Sequence, residues 1–281
     1  MNQLLQAVFR CHGIGQSVED EELTQEMIDA HGIDEKSIAA VKKLFTEQLK
    51  PFRKAANKAR AYHVQRTFEG FGSARLIVAT EQKSYTATME KFIADIEKEK
   101  QAFIVKYPDH IERERQLKAT AFRADDYPPQ EKLHQLFRVN FLIMPMVLPN
   151  DAVCKQLLGK YAEKYEEAIK NATENVRRQT LSMMMTLIAQ TAESLAGDGP
   201  IVDSENKKGP LAKLREFLER VPNLNITGDA QITALANECR KRLDVSTDLL
   251  RNSKVIRKSV AGVALDIANR FGAIGRRKLA A

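Results

Sequence analysis

The sequence predicts a mainly α protein with a small β element, arranged as a long antiparallel, coiled-coil-like helical arm and a C-terminal helical subdomain. Three observations carry that reading. Apolar residues recur at spacings of three and four over most of the chain, the pattern of a helix with one buried stripe. Two stretches break the pattern, GFGSARLIVAT at 70–80 and FRVNFLIMPMVLPN at 137–150, where apolar residues alternate or run together as in short strands. The end of the chain is helical in pattern and strongly basic.

The chain opens with a short apolar helix or strand ending near Gly13 and Gly15. Ser17 with Asp20 resembles an N-cap box, and the acidic run from Glu19 to Glu22 suits the positive end of a helix dipole. That helix ends at His31 and Gly32. Asp34 caps a second helix with the apolar set Ile38, Val41, Leu44, Phe45, Leu49 and Phe52, kinked at Pro51 and continuing to His63. Residues 70–80 read as a loop and a short strand, the natural partner of the strand at 137–144. A third helix starts at Thr80 or Ser84 and carries Tyr85, Met89, Phe92, Ile96 and Phe103; Pro108 separates it from a charged helix.

The stretch 137–150 organises the middle of the chain. Phe137, Val139, Phe141 and Ile143 share one side of a two-residue period. Pro145 lacks an N–H and ends the strand or places it at an edge. Pro149, Asn150 and Asp151 form a turn and helix start. The longest helical pattern then runs over 151–196, roughly 70 Å at 1.5 Å per residue, a length that suggests an antiparallel coiled-coil arm or the spine of a bundle. The helix from Thr80 is its expected antiparallel partner. Gly197 to Pro200 stop it, and 198–209 reads as a linker between a domain at 1–197 and a basic helical subdomain at 210–281. In that subdomain one helix begins at Pro210, a second spans 230–243 with Asp229 as cap, and a third spans 246–271.

Composition narrows the class. The chain has 281 residues, no tryptophan and three cysteines, Cys11, Cys154 and Cys239, too far apart for a disulfide framework or a zinc pattern. The opening residues lack a signal peptide, and the two prolines of 137–150 interrupt a run already too short to cross a bilayer. These features predict a soluble protein of the cytoplasm with no membrane partner. Of the net charge of +7, residues 240–281 hold eleven Lys and Arg against three Asp and Glu, so the remainder is close to neutral.

Motifs for chemistry are missing. The five histidines do not pair at zinc-helix spacing, and no HExxH occurs. There is no GxSxG elbow and no phosphate loop ending in Gly-Lys-Ser/Thr. Gly70-Phe71-Gly72 lacks a third glycine and precedes its strand, so it reads as a turn. No catalytic, cofactor-binding or metal-binding residues emerge, and a non-enzymatic role is expected.

The basic C-terminal tract is the candidate site. Arg251, Lys254 and Lys258 follow i, i+3, i+7 spacing on one helix face, with Arg257 nearby; Arg276, Arg277 and Lys278 add a basic end. Such a face can neutralise phosphates with a steep salt dependence, and it equally suits an acidic protein or plain solvent. No aromatic residues interleave for base stacking. Val255, Val260, Val263, Leu265 and Ile267 read as the opposite, core face.

GFGSARLIVAT, FRVNFLIMPMV leading into a long helix, and LREFLERVPNLNITGDAQITAL occur in an order that resembles an uncharacterised helical family of phages, plasmids and integrative elements. Its members are typically encoded beside MoxR-like AAA+ ATPases and proteins with von Willebrand factor A domains. The resemblance covers about residues 30 to 270 and brings no site residues with it. It implies a partner in an ATPase-driven machine that remodels protein or nucleoprotein complexes in a bacterial host cell. The length of the 151–196 helix and the absence of a catalytic constellation point to a non-enzymatic scaffold or adaptor, for which a homo-oligomer is one expected state. The alternative is a nucleic-acid-binding accessory factor using the basic C-terminal helix.

Overall fold

A computed structural model describes residues 4–15, 17–32, 34–70, 74–146, 159–197, 199–201, 203–204 and 207–279. The fold is mainly α with a small β element. In chain order the elements are β1 (Leu4–His12), β2 (Ser17–Glu19), α1 (Glu21–His31), β3 (Val41–Lys43), α2 (Lys50–Arg66), β4 (Phe68–Glu69), β5 (Arg75–Val78), α3 (Gln82–Val105), α4 (Tyr107–Lys118), α5 (Leu133–Leu136) and β6 (Arg138–Pro145). There follow α6 (Ala162–Ala196), β7 (Asp203–Ser204), β8 (Lys207–Lys208), α7 (Pro210–Leu224), α8 (Ala230–Leu243), α9 (Thr247–Asn252) and α10 (Lys254–Leu279). A four-stranded sheet has the order β4-β5-β1-β6, and two small ribbons pair β2 with β3 and β7 with β8. The expected neighbours β5 and β6 are therefore separated by β1, the opening stretch whose apolar run fitted helix or strand equally well.

Contacts divide the chain into two units. One holds residues 1–6, 68–81 and 145–281; the other holds 7–67 and 82–144. This division differs from the boundary expected at 198–209, where the structure instead forms the β7–β8 hairpin. The helices of 210–281 share one apolar core with α6. Val176, Met184, Ile188 and Leu195 of α6 are fully or almost fully buried, as are Leu214 and Val221 of α7 and Ala264 and Ile267 of α10. The apolar stripe, which fitted an antiparallel arm or the spine of a bundle, is covered by the C-terminal helices, as in a bundle. The helix from Thr80, expected as its antiparallel partner, packs on α2. The turn and helix start at 149–151, and helix residues up to 158, lie outside the described residues.

In the second unit the helix expected from Asp34 does not form. Asp34 caps only a 3₁₀ turn, accepting a hydrogen bond from the Lys36 N–H, and β3 takes up the following residues. Pro51 starts α2 rather than kinking it; in the first turn its missing N–H costs no helical hydrogen bond. Phe45 sits just before, at φ +48° and wholly buried, ringed by Phe103, Tyr107 and Tyr127. Gly13 lies against the Phe52 ring, where an added Cβ would come within 3.0 Å. The β6 side chains alternate as expected, with Val139, Phe141 and Ile143 turned inward.

Several expectations stand at residue level. Asp229 caps α8 through bonds from the Gln231 and Ile232 N–H groups, and Pro210 opens α7. Gly70 follows β4 of the antiparallel β4–β5 pair, where an added Cβ would meet the Ala74 carbonyl at 2.8 Å. Residues 71–73, on which the rest of the expected Gly70-Phe71-Gly72 turn falls, lie outside the described residues.

Candidate functional site

The structure splits the basic tract. Ser253 leaves the helical conformation, at φ −134° and ψ 107°, so Arg251 lies in the last turn of α9 while Lys254, Arg257 and Lys258 belong to α10. Ser253 then caps α10, its Oγ accepting from the Ile256 N–H at 3.3 Å. Arg251, Lys254 and Lys258 are exposed. Arg251 also lies 3.5 Å from Asp248 and donates from Nε to the Ile201 carbonyl. Arg257 is buried. It donates to the carbonyls of Leu250 (3.2 Å), Gly199 (3.0 Å) and Gly197 (3.5 Å), which fastens the end of α6 and the C-terminal part of α9 to α10. Its guanidinium is committed to backbone, so it is no surface phosphate contact. Arg276, Arg277 and Lys278 fall within the backbone span of α10, and their side chains lie outside the described residues.

The face opposite the α10 core also differs from expectation. The buried set is Arg257, Val260, Ala261, Ala264 and Ile267. Val255 and Leu265, read as core, are 80% and 54% exposed. With Lys258 and Gly262 they follow i, i+3, i+7, i+10 spacing and form one outward stripe. The two small residues Ala261 and Ala264 lie in the core that α10 shares with α6, where a close helix–helix approach needs little side-chain volume.

A second charged surface had no motif to announce it. Helix α2 carries six Lys and Arg and no Asp or Glu. Lys50, Lys54 and Lys58 stand at i, i+4, i+8 and are all exposed. Lys50 pairs with Glu47 at 2.7 Å, whereas Lys54 and Lys58 make no ion pair with any described residue. Like charges at this spacing repel by about 0.2–0.5 kcal/mol per pair, so the row is held at a cost to the isolated helix. It forms one wall of an open cleft of about 500 Å³ between α2 and α3. Pro51, Ala55 and Phe92 make an apolar floor, and the α3 wall carries Asp95, Lys98 and Glu99.

Helix α1 in the same unit has the opposite character. Glu21, Glu22, Glu26 and Asp29 face no Lys or Arg within the helix, and none of its eleven residues is buried. It is well terminated: Asp20 accepts from the Leu23 N–H, and Gly32, at φ +60°, donates its N–H to the Ile28 carbonyl. The signal for both helices was present in the sequence, but a charge sum over 1–239 cancels an acidic helix against a basic one. Charge counted element by element would have found them.

Buried ionisable groups elsewhere are bound to one another. Arg220 grips both carboxylate oxygens of Glu81, at 2.8 and 2.5 Å. Lys42 lies between Asp126 (2.9 Å) and Asp20 (3.4 Å), and the hydrogen bond it donates to Asp126 helps hold its pKa above the ordinary lysine value. Glu114 binds Lys118, the Gln48 amide and the Tyr127 hydroxyl. Burial, with the Glu114 charge, pushes the Tyr127 phenol well up. His63 Nδ1 meets the Tyr85 hydroxyl at 2.6 Å in an aromatic setting. Burial pushes the Cys239 thiol to about 12, which keeps it protonated and unreactive at neutral pH. Cys11 is buried too, its carbonyl accepting from Arg60 at 2.6 Å. Among the described residues no three His, Cys, Asp or Glu side chains converge as metal ligands, and no described helix is long and apolar enough to cross a membrane.

Comparison of the chain with models of known families, with characterised proteins and with solved structures finds no match.

Proposed function

We propose that the protein is a non-enzymatic scaffold or adaptor of a phage or mobile element, acting in the bacterial cytoplasm with a MoxR-like AAA+ ATPase. The resemblance of its sequence to the element-borne family supplies the partner. The observation that carries the reading is the outward stripe of α10, where Val255 and Leu265 stand exposed in line with Lys258. Large apolar side chains in register on a helix whose other face is already packed suit docking to protein. Isothermal titration of the full chain with the MoxR-like ATPase of its genomic neighbourhood tests this. Binding that weakens about tenfold or more in Val255→Asp/Leu265→Asp supports it, since hot-spot truncations reach 2 kcal/mol. Absence of binding by the wild type sinks the ATPase pairing.

A second reading rests on the exposed cations Arg251, Lys254 and Lys258 at the α9–α10 junction. In it the protein is a nucleic-acid-binding accessory factor. Fluorescence anisotropy with single- and double-stranded DNA at low and physiological salt decides: affinity must fall with salt and drop in Lys254→Glu/Lys258→Glu. Salt-insensitive binding, or none, excludes it.

A further inference from the structure

We propose that a second copy of this chain docks its helix α1 into the cleft between α2 and α3. Both halves of the contact are on this one chain, and each keeps charges, Glu26 and Asp29 on the helix and Lys54 and Lys58 on the cleft, that make no ion pair with any described residue. Helix α1 has eleven residues, none buried, although isolated helices of this length are marginal in water. Its Leu23, Met27 and Ala30 follow i, i+4, i+7 and make an apolar stripe, with Leu23 45% exposed. Glu22, Glu26 and Asp29 line one edge of that stripe, all exposed.

The cleft answers this pattern feature for feature. Its apolar floor of Pro51, Ala55 and Phe92 is bordered along one side by Lys50, Lys54 and Lys58. The lysine row rises about 12 Å and the acidic row about 10 Å, so three carboxylates can face three ammonium groups while the apolar stripe meets the floor. Association relieves two repulsions at once, between neighbouring lysines on α2 and between neighbouring carboxylates on α1. The opposite wall, with Asp95, Lys98 and Glu99, is close to balanced and adds little to the preference. No residue of α1 lines the cleft, so the chain does not fill it with its own helix. Glu22 pairs with Arg123 within the chain; both side chains are at least half exposed, and the exchange of partners costs little.

Helix and cleft are different surfaces, so the contact is heterologous. It closes as a ring or a reciprocal pair, or it propagates. One short helix is a small interface, so the association is weak, concentration-dependent and salt-sensitive.

Sedimentation velocity of the full chain over a range of concentrations, at low and high salt, tests the proposal. The wild type associates at low salt and dissociates at high salt. Lys54→Glu/Lys58→Glu alone and Glu26→Lys/Asp29→Lys alone each weaken association about tenfold or more, as expected when charge pairs become like-charged. An equimolar mixture of the two variants associates again, because each reversed surface finds its complement. The neutral pairs Lys54→Gln/Lys58→Gln and Glu26→Gln/Asp29→Gln give a smaller loss and serve if a reversal disturbs the fold, which circular dichroism reads. A wild type that stays monomeric overturns the proposal, as does association that ignores the substitutions or a mixture that fails to reassociate. A monomeric wild type whose DNA affinity falls in Lys54→Glu/Lys58→Glu would give the lysine row to nucleic acid instead.

Discussion

Arg257 shows what a residue's neighbours do to its meaning. In the sequence it is one more cation beside Lys254 and Lys258. In the fold it is buried, and its guanidinium satisfies three backbone carbonyls from two other segments. Replacing it with Met should keep the packing of its stem, lower stability by about 1–3 kcal/mol through the orphaned carbonyls, and leave nucleic-acid affinity unchanged. Urea unfolding and anisotropy on the same variant separate the two roles. Thr180 makes the reverse case. It is wholly buried on α6, and its hydroxyl meets no partner among the described residues. Thr180→Val, of similar shape, should raise stability by up to about 1 kcal/mol, visible as an upward shift of the urea midpoint at unchanged slope. Caps and turns were legible at this scale because their chemistry is local: Asp229, Gly32 and Pro210 each act within a few residues. The inward turn of Arg257 was not, because its acceptors lie up to sixty positions away.

At the scale of elements, the sequence places α8 at its observed bounds and anticipates the inward side chains of β6 and α7, since a periodic stripe states which face is buried. It does not state what buries it. The stripe of α6 fitted an arm paired with α3 or the spine of a bundle; the C-terminal helices cover it, and α3 packs on α2. The strand β1 was ambiguous because a short apolar run serves helix and strand alike. The missed charge rows of α1 and α2 were visible only at this grain. The buried pair of Glu81 and Arg220 joins a 3₁₀ turn to α7 with side chains 8% and 12% exposed. Arg220→Ala leaves a buried carboxylate and should cost about 3–5 kcal/mol by thermal or urea unfolding. Glu81→Leu/Arg220→Leu should recover most of that loss, because the apolar pair carries no desolvation penalty.

Across the whole molecule, carboxylates held by arginine set the response to acid. The Glu174 carboxyl is lowered by its hydrogen bond from Arg177. Burial opposes ionisation of Asp229, but Arg177 and the N–H groups of Gln231 and Ile232 outweigh it and leave that carboxyl low as well. Groups with depressed folded values stabilise the chain above their unfolded pKa of about 4 and lose that contribution as pH falls through the folded value. The melting temperature should therefore hold through neutral pH and fall steeply below about pH 4. Arg177→Met should start lower and show a shallower acid limb in calorimetric scans from pH 7 to pH 2. The way the chain weaves between its two units has a further consequence, for synthesis. Residues 7–67 and 82–144 are complete once residue 144 has emerged, whereas the other unit needs the first six residues, 68–81 and everything from 145 onward. At about 5–20 residues per second its last helix is complete roughly seven to thirty seconds later. During that interval one nascent unit has all of its sequence, while the opening residues of the other await partners still inside the ribosome.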